Sequence, residues 1–433
     1  MEVCCTGSSE AEGGGWVEYS AYNRKGTGRS AEGIQTEQRE KGYWVSKMFR
    51  LSLAAASFRI TITSAAVTLP WKKHSINLVD TPGHIDFTMQ VEQTLNILDG
   101  AVIVLDSSAG VEAQTLTVWR QTDRYMIPRI VYANKMDRSD ASLPLCINLL
   151  KSKFNITPLQ LQIPVRENNG RLIGLIDVIK KDILTWHGDN GQKIVCTPIE
   201  KNTKQWEALC NVREALIGNL ADMDETIANI VLNTDDISNI DNSVLLAAIR
   251  RVCIAQKGVP LFCGSSYKNI GVQTLMDGII DYLPSPNDCI TLDPFKCFGT
   301  SMSARAFKIV HEKQKGPVTF LRIYTGTLEK GQKLYNASQS RSESINRVMI
   351  AYADDYKEVN NVHSGNIVAV TGLKNTVCGD LLSSSNNAVK NALTKLSKSK
   401  KMTQDESIEM LGVEMNIPDP VFFCSIEPPS QVN

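Results

Sequence analysis

The feature that most constrains the fold is an alternation of strand-like and helix-like segments in the first half of the chain. A short apolar run, AVIVLD (Ala101–Asp106), precedes the helix-like stretch QTLTVWRQTDRY (Gln114–Tyr125). A second apolar run, RIVYAN (Arg129–Asn134), precedes another helix-like stretch at Leu143–Phe154. Strands that alternate with helices predict a parallel sheet covered on both faces, and ligands bind where such strands end. The sequence therefore predicts an α/β domain whose strand ends carry the chemistry.

The limits of this domain follow from changes in the pattern. Residues 1–58 are rich in Gly, Ser, Glu and Arg and show no sustained periodicity, which predicts an atypical, disordered segment. The sheet domain is predicted over residues 59–287, with an insertion at about 161–257 where the alternation loosens. The pattern resumes with VPLFCGSS (Val259–Ser266) and a helix that ends before two prolines.

The chain becomes all-β beyond that boundary. Six short β-rich runs separated by Gly and polar turns predict a β-barrel domain over residues 288–387. A lysine-rich stretch, Lys390–Lys401, is interpreted as a surface linker, and the last run, PDPVFFCSIEPPSQVN, as the opening strand of a third domain. Residues 388–433 are therefore assigned to a linker and the start of that domain.

Composition limits the class of protein. With 433 residues, 42% of them hydrophobic and a formal net charge of zero, the chain is long enough for two or three cores and carries no strong overall field. Its 11 cysteines include no C-x-x-C pair, which predicts reduced thiols, as in the cytosol or the mitochondrial matrix. No apolar run near the N-terminus approaches the roughly 20 residues that span a bilayer, so no membrane partner is predicted. The acidic N-terminal segment does not resemble a transit peptide.

The first candidate motif lies directly after the apolar run INLV, and its residues are Asp80, Thr81, Pro82, Gly83 and His84. A carboxylate at a strand end can hold a hydrated Mg²⁺, and a glycine lets its backbone N–H approach a terminal phosphate oxygen. A histidine beside that glycine can orient water for in-line attack on phosphorus, since phosphoryl transfer depends on positioning and charge stabilisation. Taken alone, the motif is equally compatible with an ordinary strand-to-turn junction.

The second candidate motif also follows an apolar strand, and its residues are Asn134, Lys135, Met136 and Asp137. Asp137 can accept from the paired N1–H and 2-amino donors of guanine. Asn134 can donate to the acceptor side of the base, and the stem of Lys135 covers the base. Adenine reverses donor and acceptor at that edge, so the arrangement selects guanine, because the wrong base leaves buried polar groups unpaired. A four-letter pattern of this kind also occurs by chance. Its weight comes from its place one strand and one helix after the first motif.

The third candidate motif is the small-residue loop Cys263–Ser266, which again follows a strand. Its serines, Ser265 and Ser266, stand where backbone N–H groups can be offered to the guanine O6. Small loops after strands are common, so this loop carries little weight alone. The three strand-end motifs in this order nevertheless predict one site for a guanine nucleotide.

Taken together, these stretches resemble translational GTPases of the elongation factor G class over about residues 59–433. The ending IPDPVFFCSIEPPS is most similar to the branch of that class that recycles mitochondrial ribosomes. The resemblance implies GTP as ligand, with Mg²⁺ held by Asp80 and Thr61. It also implies that Gly83 contacts the γ-phosphate and that His84 is catalytic and positions the attacking water. The insertion and the barrel would correspond to the extra subdomain and the second domain of the class.

The chain departs from the pattern of this class at two places. Arg59 stands where the class has a glycine before the switch isoleucine, here Ile60. Residues 1–60 also contain no G-x-x-x-x-G-K-[ST] loop, whose backbone amides and lysine surround the β- and γ-phosphates. The nearest glycine-rich piece, Gly26–Ser30, has neither the spacing nor the lysine. Because charge-assisted hydrogen bonds of ~1.5–3 kcal/mol each would be lacking, we expect GTP to bind weakly or not at all.

The resemblance also implies a function. It implies a monomeric GTPase of the mitochondrial matrix that splits ribosomes after termination, together with the ribosome recycling factor. Its partners would be the RNA and proteins of the mitochondrial ribosome. Two alternatives stay open at this point. One is translocation by an elongation factor G of the ordinary kind, and the other is a non-hydrolysing fragment that binds the ribosome or another partner through the barrel surface.

Overall fold

A largely parallel sheet forms the first domain of the protein. The computed structural model describes residues 4–7, 64–81, 88–188, 191, 193–234, 237, 240–288, 293–312, 316–352, 355–400 and 403–412. In spatial order, the strands of this sheet are β2 (Ala65–Trp71), β3 (His74–Asp80), β1 (Cys4–Gly7), β4 (Gly100–Asp106), β5 (Arg129–Asn134), β11 (Gly258–Cys263) and β6 (Thr157–Gln160). Strands β4, β5, β11 and β6 run parallel, whereas β2 and β3 form an antiparallel pair. The predicted parallel sheet is confirmed.

Helices cover both faces of this sheet. They are α1 (Thr88–Leu95), α2 (Ala113–Arg124), α3 (Leu143–Phe154), α6 (Asn242–Ile254) and α7 (Val272–Tyr282). Side chains alternate along β5, so that Ile130 and Tyr132 share a core with α6 and α7, whereas Val131 and Ala133 share one with α2 and α3. All six residues of β5 are buried, as expected for a strand covered on both faces.

One strand of the sheet comes from the segment predicted to be disordered. Strand β1 lies between β3 and β4 and is antiparallel to both, with Cys4 opposite Val79 on one side and Ala101 on the other. Its carboxyl end, Gly7, therefore points toward the amino ends of β3 and β4. The prediction is corrected at these four residues, which are too few to show a period-2 pattern. The rest of residues 1–58 lies outside the described residues.

The insertion forms a second, smaller sheet. Its antiparallel strands are β7 (Gln162–Arg166), β8 (Leu172–Asp177), β9 (Asp182–His187) and β10 (Lys193–Pro198). Two helices, α4 (Lys204–Ala221) and α5 (Glu225–Asn233), follow this sheet. Helix α6 then packs back onto β5 and β11 of the main sheet. The insertion thus begins and ends beside the strand pair β6 and β11.

The second domain is all-β, as predicted, and its strands are antiparallel. Its sheet contains, in spatial order, β16 (Arg341–Ser344), β15 (Lys333–Asn336), β21 (Leu381–Ser383), β12 (Ser303–Glu312), β13 (Gly316–Thr325), β20 (Ile367–Thr371), β17 (Arg347–Tyr352) and β18 (Asp355–Val359). A separate pair joins β14 (Thr327–Glu329) to β19 (Asn361–His363), and a short helix, α8 (Asp293–Lys296), precedes the domain. Alternate residues of β12 and β13, such as Ala304 and Leu321, form its buried core.

An apolar core and an ion pair join the two domains. Val79, Leu95 and Leu98 of the first domain pack against Phe307 and Phe320 of the second. Beside this core, Arg322 of β13 donates to both carboxylate oxygens of Asp99, at 2.8 and 3.1 Å, and both side chains are fully buried. The domains are therefore held by direct side-chain contacts and not by the connecting chain alone.

The lysine-rich stretch predicted as a linker is a helix. Helix α9 (Asn386–Lys400) buries Val389, Ala392 and Leu396 in a core with Phe295 of α8 and the nearby Phe298. These apolar residues recur at the three- to four-residue spacing of a helix face, and the lysines between them hid that pattern in the sequence. A further helix, α10 (Gln404–Met410), follows, and the run predicted to open a third domain lies outside the described residues. No helix in the described ranges is both long and apolar enough to cross a membrane.

Candidate functional site

Asn134 connects two loops at the carboxyl edge of the main sheet. It ends β5 and is 3% exposed. Its side-chain oxygen accepts from the backbone N–H of Lys135 at 2.8 Å and from that of Ser266, beyond the end of β11, at 2.9 Å. Because the amide oxygen is used inside the protein, its NH₂ group is the donor that can serve a ligand. The structure thus brings two of the predicted motifs together through one side chain.

Lys135 takes a left-handed backbone conformation, with φ of 61°, and its side chain turns toward β4. Its Nζ lies 2.7 Å from Oδ2 of Asp106, at the end of β4. Burial acts to raise the pKa of Asp106, but hydrogen bonds from Lys135 and Ser108 outweigh it and lower this pKa to about 2. Asp106 is therefore a carboxylate near neutral pH, and it fixes the direction of the lysine stem across the loop.

Met136 and Asp137 differ in environment. The Met136 side chain is 1% exposed and packs in the core with α2 and α3, so its contribution to the loop is its main chain. Its N–H donates to the carbonyl of Gly264 at 2.9 Å, which is a second link between the two loops. Asp137, the next residue, is half-buried. Of these neighbours, Asp137 offers the carboxylate that can reach a bound base.

Ser265 and Ser266 lie in a tight loop, and both serines are buried. Ser265 exchanges backbone hydrogen bonds with Ile270 at 2.8 and 2.9 Å. The Tyr132 hydroxyl donates to the Ile270 carbonyl at 3.1 Å, and burial raises the pKa of Tyr132 far above its usual value. A Cβ on Gly264 would lie 2.2 Å from that carbonyl oxygen, so the loop requires glycine there. Hydrogen bonds and close packing therefore define the position of Gly264 and Ser265.

Asp80 ends β3, and its position along the strands differs from that of Asn134. Val79 and Ala101 both lie opposite Cys4, and Val102 lies opposite Ile130. Asp80 is therefore level with Ile130, four residues before the end of β5, which corresponds to about 13 Å along the strands.

Strands β1 and β4 also separate Asp80 laterally from Asn134, so the structure does not bring these two side chains into contact. Thr81, next to Asp80, is buried, whereas Thr61, Pro82, Gly83 and His84 lie outside the described residues. A separation of this kind suits an elongated ligand with a base at one end and phosphates at the other.

Two residues of this region were not predicted from the sequence. Asp106 ends the strand AVIVLD, so the strand-end criterion that identified the other motifs applies to it equally. Arg166 of β7 donates to the carbonyls of Met136 and Arg138, at 2.7 and 3.3 Å. No local pattern could have revealed that contact, because the insertion reaches the loop only in the folded protein.

Comparison with known proteins defines the family. Residues 30–285 match the model of the elongation factor Tu GTP binding domain, and residues 301–385 match elongation factor G domain 2. The chain therefore belongs to the family of translation elongation factors that carry this GTP-binding domain.

Individual relatives agree with this assignment, and a solved structure is similar in fold. The chain is 44% identical over 381 residues to "Ribosome-releasing factor 2, mitochondrial" of Drosophila melanogaster, and 41% identical over 379 residues to the protein of the same name in Culex quinquefasciatus. Each match covers 86% of this chain, but 51% and 50% of the respective relative, so the chain spans about half their length. The crystal structure of ttk003000868 from Thermus thermophilus is similar in fold, with a TM-score of 0.68 at 20% identity over 88% of this chain and 55% of that chain.

Proposed function

We propose that the protein is a guanine-nucleotide-dependent translation factor that acts with mitochondrial ribosomes in their disassembly after termination. The observation that carries this proposal is the hydrogen bond between the Asn134 side chain and the Ser266 backbone. This hydrogen bond joins the end of β5 to the loop after β11, next to Asp137. The family match and the relatives named as ribosome-releasing factors support the same conclusion.

The proposed roles follow from the chemistry of the guanine base. The Asn134 amide donates to the acceptor side of the base, and Asp137 accepts from N1–H and the 2-amino group. Lys135, held by Asp106, covers one face of the ring. The backbone N–H groups of Ser265 and Ser266, predicted to donate to O6, are instead bonded to Ile270 and Asn134, so these serines hold the loop in place beside the base. These contacts select guanine because any other base leaves a buried donor or acceptor unpaired.

The phosphate end of the site is proposed from the first motif, Asp80, Thr81, Pro82, Gly83 and His84. Gly83 contacts the γ-phosphate, and His84 positions the water that attacks it. Mg²⁺ would be held by Asp80 and Thr61, since carboxylate and hydroxyl oxygens are the donors it prefers. Asp80 fits this assignment because it is half-buried at a strand end with one carboxylate oxygen fully enclosed. Mg²⁺ there would supply charge neutralisation at the phosphates.

The ribosomal partner is supported by the charge of helix α9. Between Asn386 and Lys400 the sequence has no acidic residue, and the solvent-facing surface of the helix carries four exposed lysines, namely Lys390, Lys395, Lys398 and Lys400. Several ammonium groups on one helix suit the phosphates of ribosomal RNA. We propose that the protein uses this face, as a monomer in the mitochondrial matrix, and that the ribosome recycling factor acts with it.

An Asp137→Asn variant tests the guanine site. Xanthine keeps N1–H but has a carbonyl oxygen in place of the 2-amino group, so asparagine can accept from one and donate to the other. We expect the ratio of GDP to XDP affinity to fall by about 100-fold or more, because charge-assisted hydrogen bonds contribute about 1.5–3 kcal/mol each. Equilibrium dialysis with labelled nucleotides measures both affinities even when binding is weak.

Asp140→Asn is the matched control for this experiment. Asp140 is exposed, lies in the same loop and pairs with Arg138 at the surface, so its replacement should leave the GDP to XDP ratio unchanged. A wild-type protein with no preference for guanine, or an Asp137→Asn variant with an unaltered ratio, would overturn the assignment.

A second candidate function is non-hydrolysing binding to the ribosome. It is favoured by two observations: residues 1–60 contain no G-x-x-x-x-G-K-[ST] loop, and the carboxyl end of β1 points away from the edge that carries Asn134. Phosphate release on mitochondrial ribosomes, compared between the protein and a His84→Ala variant, separates the two functions. Release that depends on His84 supports the enzyme, and equal rates support the binding function.

A further inference from the structure

We propose that the inserted sheet β7–β10 holds both guanine-recognition loops in their binding conformation, with Arg166 as the positioning residue. The inference rests on the proposed nucleotide site and extends it, because it assigns the insertion a role in base selection. Two contacts carry it. One reaches the loop after β5, and the other reaches the loop after β11.

The first contact is made by Arg166 at the end of β7. One guanidinium nitrogen donates to the carbonyls of Met136, at 2.7 Å, and Ala141, at 3.3 Å. The other donates to the carbonyls of Arg138, at 3.3 Å, and Gly170, at 2.7 Å. Arg166 therefore ties the β7–β8 hairpin to three carbonyls of one loop.

Asp137 lies inside the loop segment that Arg166 holds. The carbonyls on either side of it, those of Met136 and Arg138, are both bound by the same guanidinium group. Arginine suits this task because its planar fork directs several donors at fixed angles, which a lysine ammonium cannot reproduce. The direction of the Asp137 carboxylate is thus set from the insertion.

The second contact is made by Gly191, near the start of β10. Its carbonyl accepts from the side chain of Asn269 at 3.3 Å and from that of Gln273 at 3.2 Å. Gln273 in turn accepts from the Trp186 indole of β9 at 3.0 Å. Asn269 belongs to the loop that contains Ser266, and it is buried with a positive φ of 57°. The small sheet therefore holds the second loop as well.

The two loops are also linked to each other, so the contacts act together. Asn134 accepts from Ser266, and Met136 donates to Gly264. A guanine base needs these groups at hydrogen-bond distance at the same time, and a displacement of about 1 Å is enough to lose much of the interaction. Removing the support from the insertion should therefore lower base selectivity more than it lowers overall stability.

The test compares Arg166→Ala and Arg166→Lys with the control Arg171→Ala. Arg171 lies on the same hairpin and is exposed, so the control removes an equal charge away from the loop. Hydrogen exchange of the nucleotide-free protein is measured for peptides that cover residues 134–142 and 172–187. In Arg166→Ala we expect exchange in 134–142 to rise at least 10-fold, with 172–187 unchanged. Arg166→Lys should restore part of the protection, and Arg171→Ala should match the wild type.

The second measurement is base selectivity by equilibrium dialysis with GDP and IDP, since IDP lacks the 2-amino group that Asp137 recognises. Arg166→Ala should lower the preference for GDP by about 10-fold, and a Gln273→Met variant should lower it through the other loop. Circular dichroism verifies that each variant keeps its helix content.

Each outcome is decisive for one of the two proposals. Unchanged exchange in residues 134–142 of Arg166→Ala would overturn the inference, and so would faster exchange with an unchanged GDP preference. If the wild type does not distinguish GDP from IDP, the proposed nucleotide site fails. In that case the exchange data still decide whether Arg166 holds the loop.

Discussion

Replacing Arg322 with methionine removes the buried guanidinium that joins the two domains. The wild-type group donates to both oxygens of Asp99, and neither side chain is exposed to solvent. Loss of one partner from a buried ion pair generally costs about 3–5 kcal/mol, because the remaining charge stays in a site of low polarity. Asp99 has a further interaction within the protein, so we expect the lower end of this range, about 3 kcal/mol.

The double variant Arg322→Met/Asp99→Leu tests whether the loss of stability comes from the carboxylate left without its partner. Removing both charges also removes the penalty for the carboxylate left behind, so the double variant should be more stable than Arg322→Met alone. The surface pair Lys330 and Glu358, at 3.6 Å with both side chains about half exposed, is the matched control. Lys330→Met should change stability by no more than about 1 kcal/mol.

Urea unfolding measures these differences from the midpoint at constant slope. Tryptophan fluorescence and circular dichroism are followed together, because two domains can unfold in separate transitions. A loss of less than about 1 kcal/mol in Arg322→Met would refute this reasoning, and so would a double variant that lost the sum of the two single losses.

Three further predictions concern the loops and helix α9. Gly264→Ala should cost about 1–3 kcal/mol and lower the melting temperature, because the new methyl group meets the Ile270 carbonyl at 2.2 Å; an unchanged melting temperature would contradict this. The pKa of Asp106 is lowered from 3.8 to about 2 in the folded protein. Its contribution to the free energy of unfolding is therefore present above about pH 4 and is lost as pH falls toward 2. Solvent screening limits that contribution to about 1 kcal/mol, because the Lys135 side chain is 44% exposed, and urea unfolding of Asp106→Asn at pH 6 and pH 3 should show a difference that shrinks with acid. Lys395→Gln/Lys398→Gln should weaken ribosome binding and reduce its salt dependence, measured by sedimentation at several salt concentrations, whereas an unchanged salt slope would remove α9 from the interface.

The sequence by itself determined the parts of the fold that depend on local pattern. The runs AVIVLD and RIVYAN became β4 and β5, and the helix-like stretches between and after them became α2 and α3. Their apolar residues repeat at the period of a strand or a helix, so burial and secondary structure are encoded together. The motifs at the strand ends were visible for the same reason, because each follows an unmistakable apolar run.

Tertiary structure alone decided which of these residues meet. Ser266 reaches Asn134 across 132 positions of the chain, and Arg166 reaches the same region from the insertion. The Asp99 and Arg322 pair and the packing of α9 likewise join distant segments. Local periodicity fixes which face of an element is buried, but the partner of that face depends on how all the elements pack. The residues of the proposed guanine site could therefore be singled out individually in the sequence, whereas the contacts that join their loops could not.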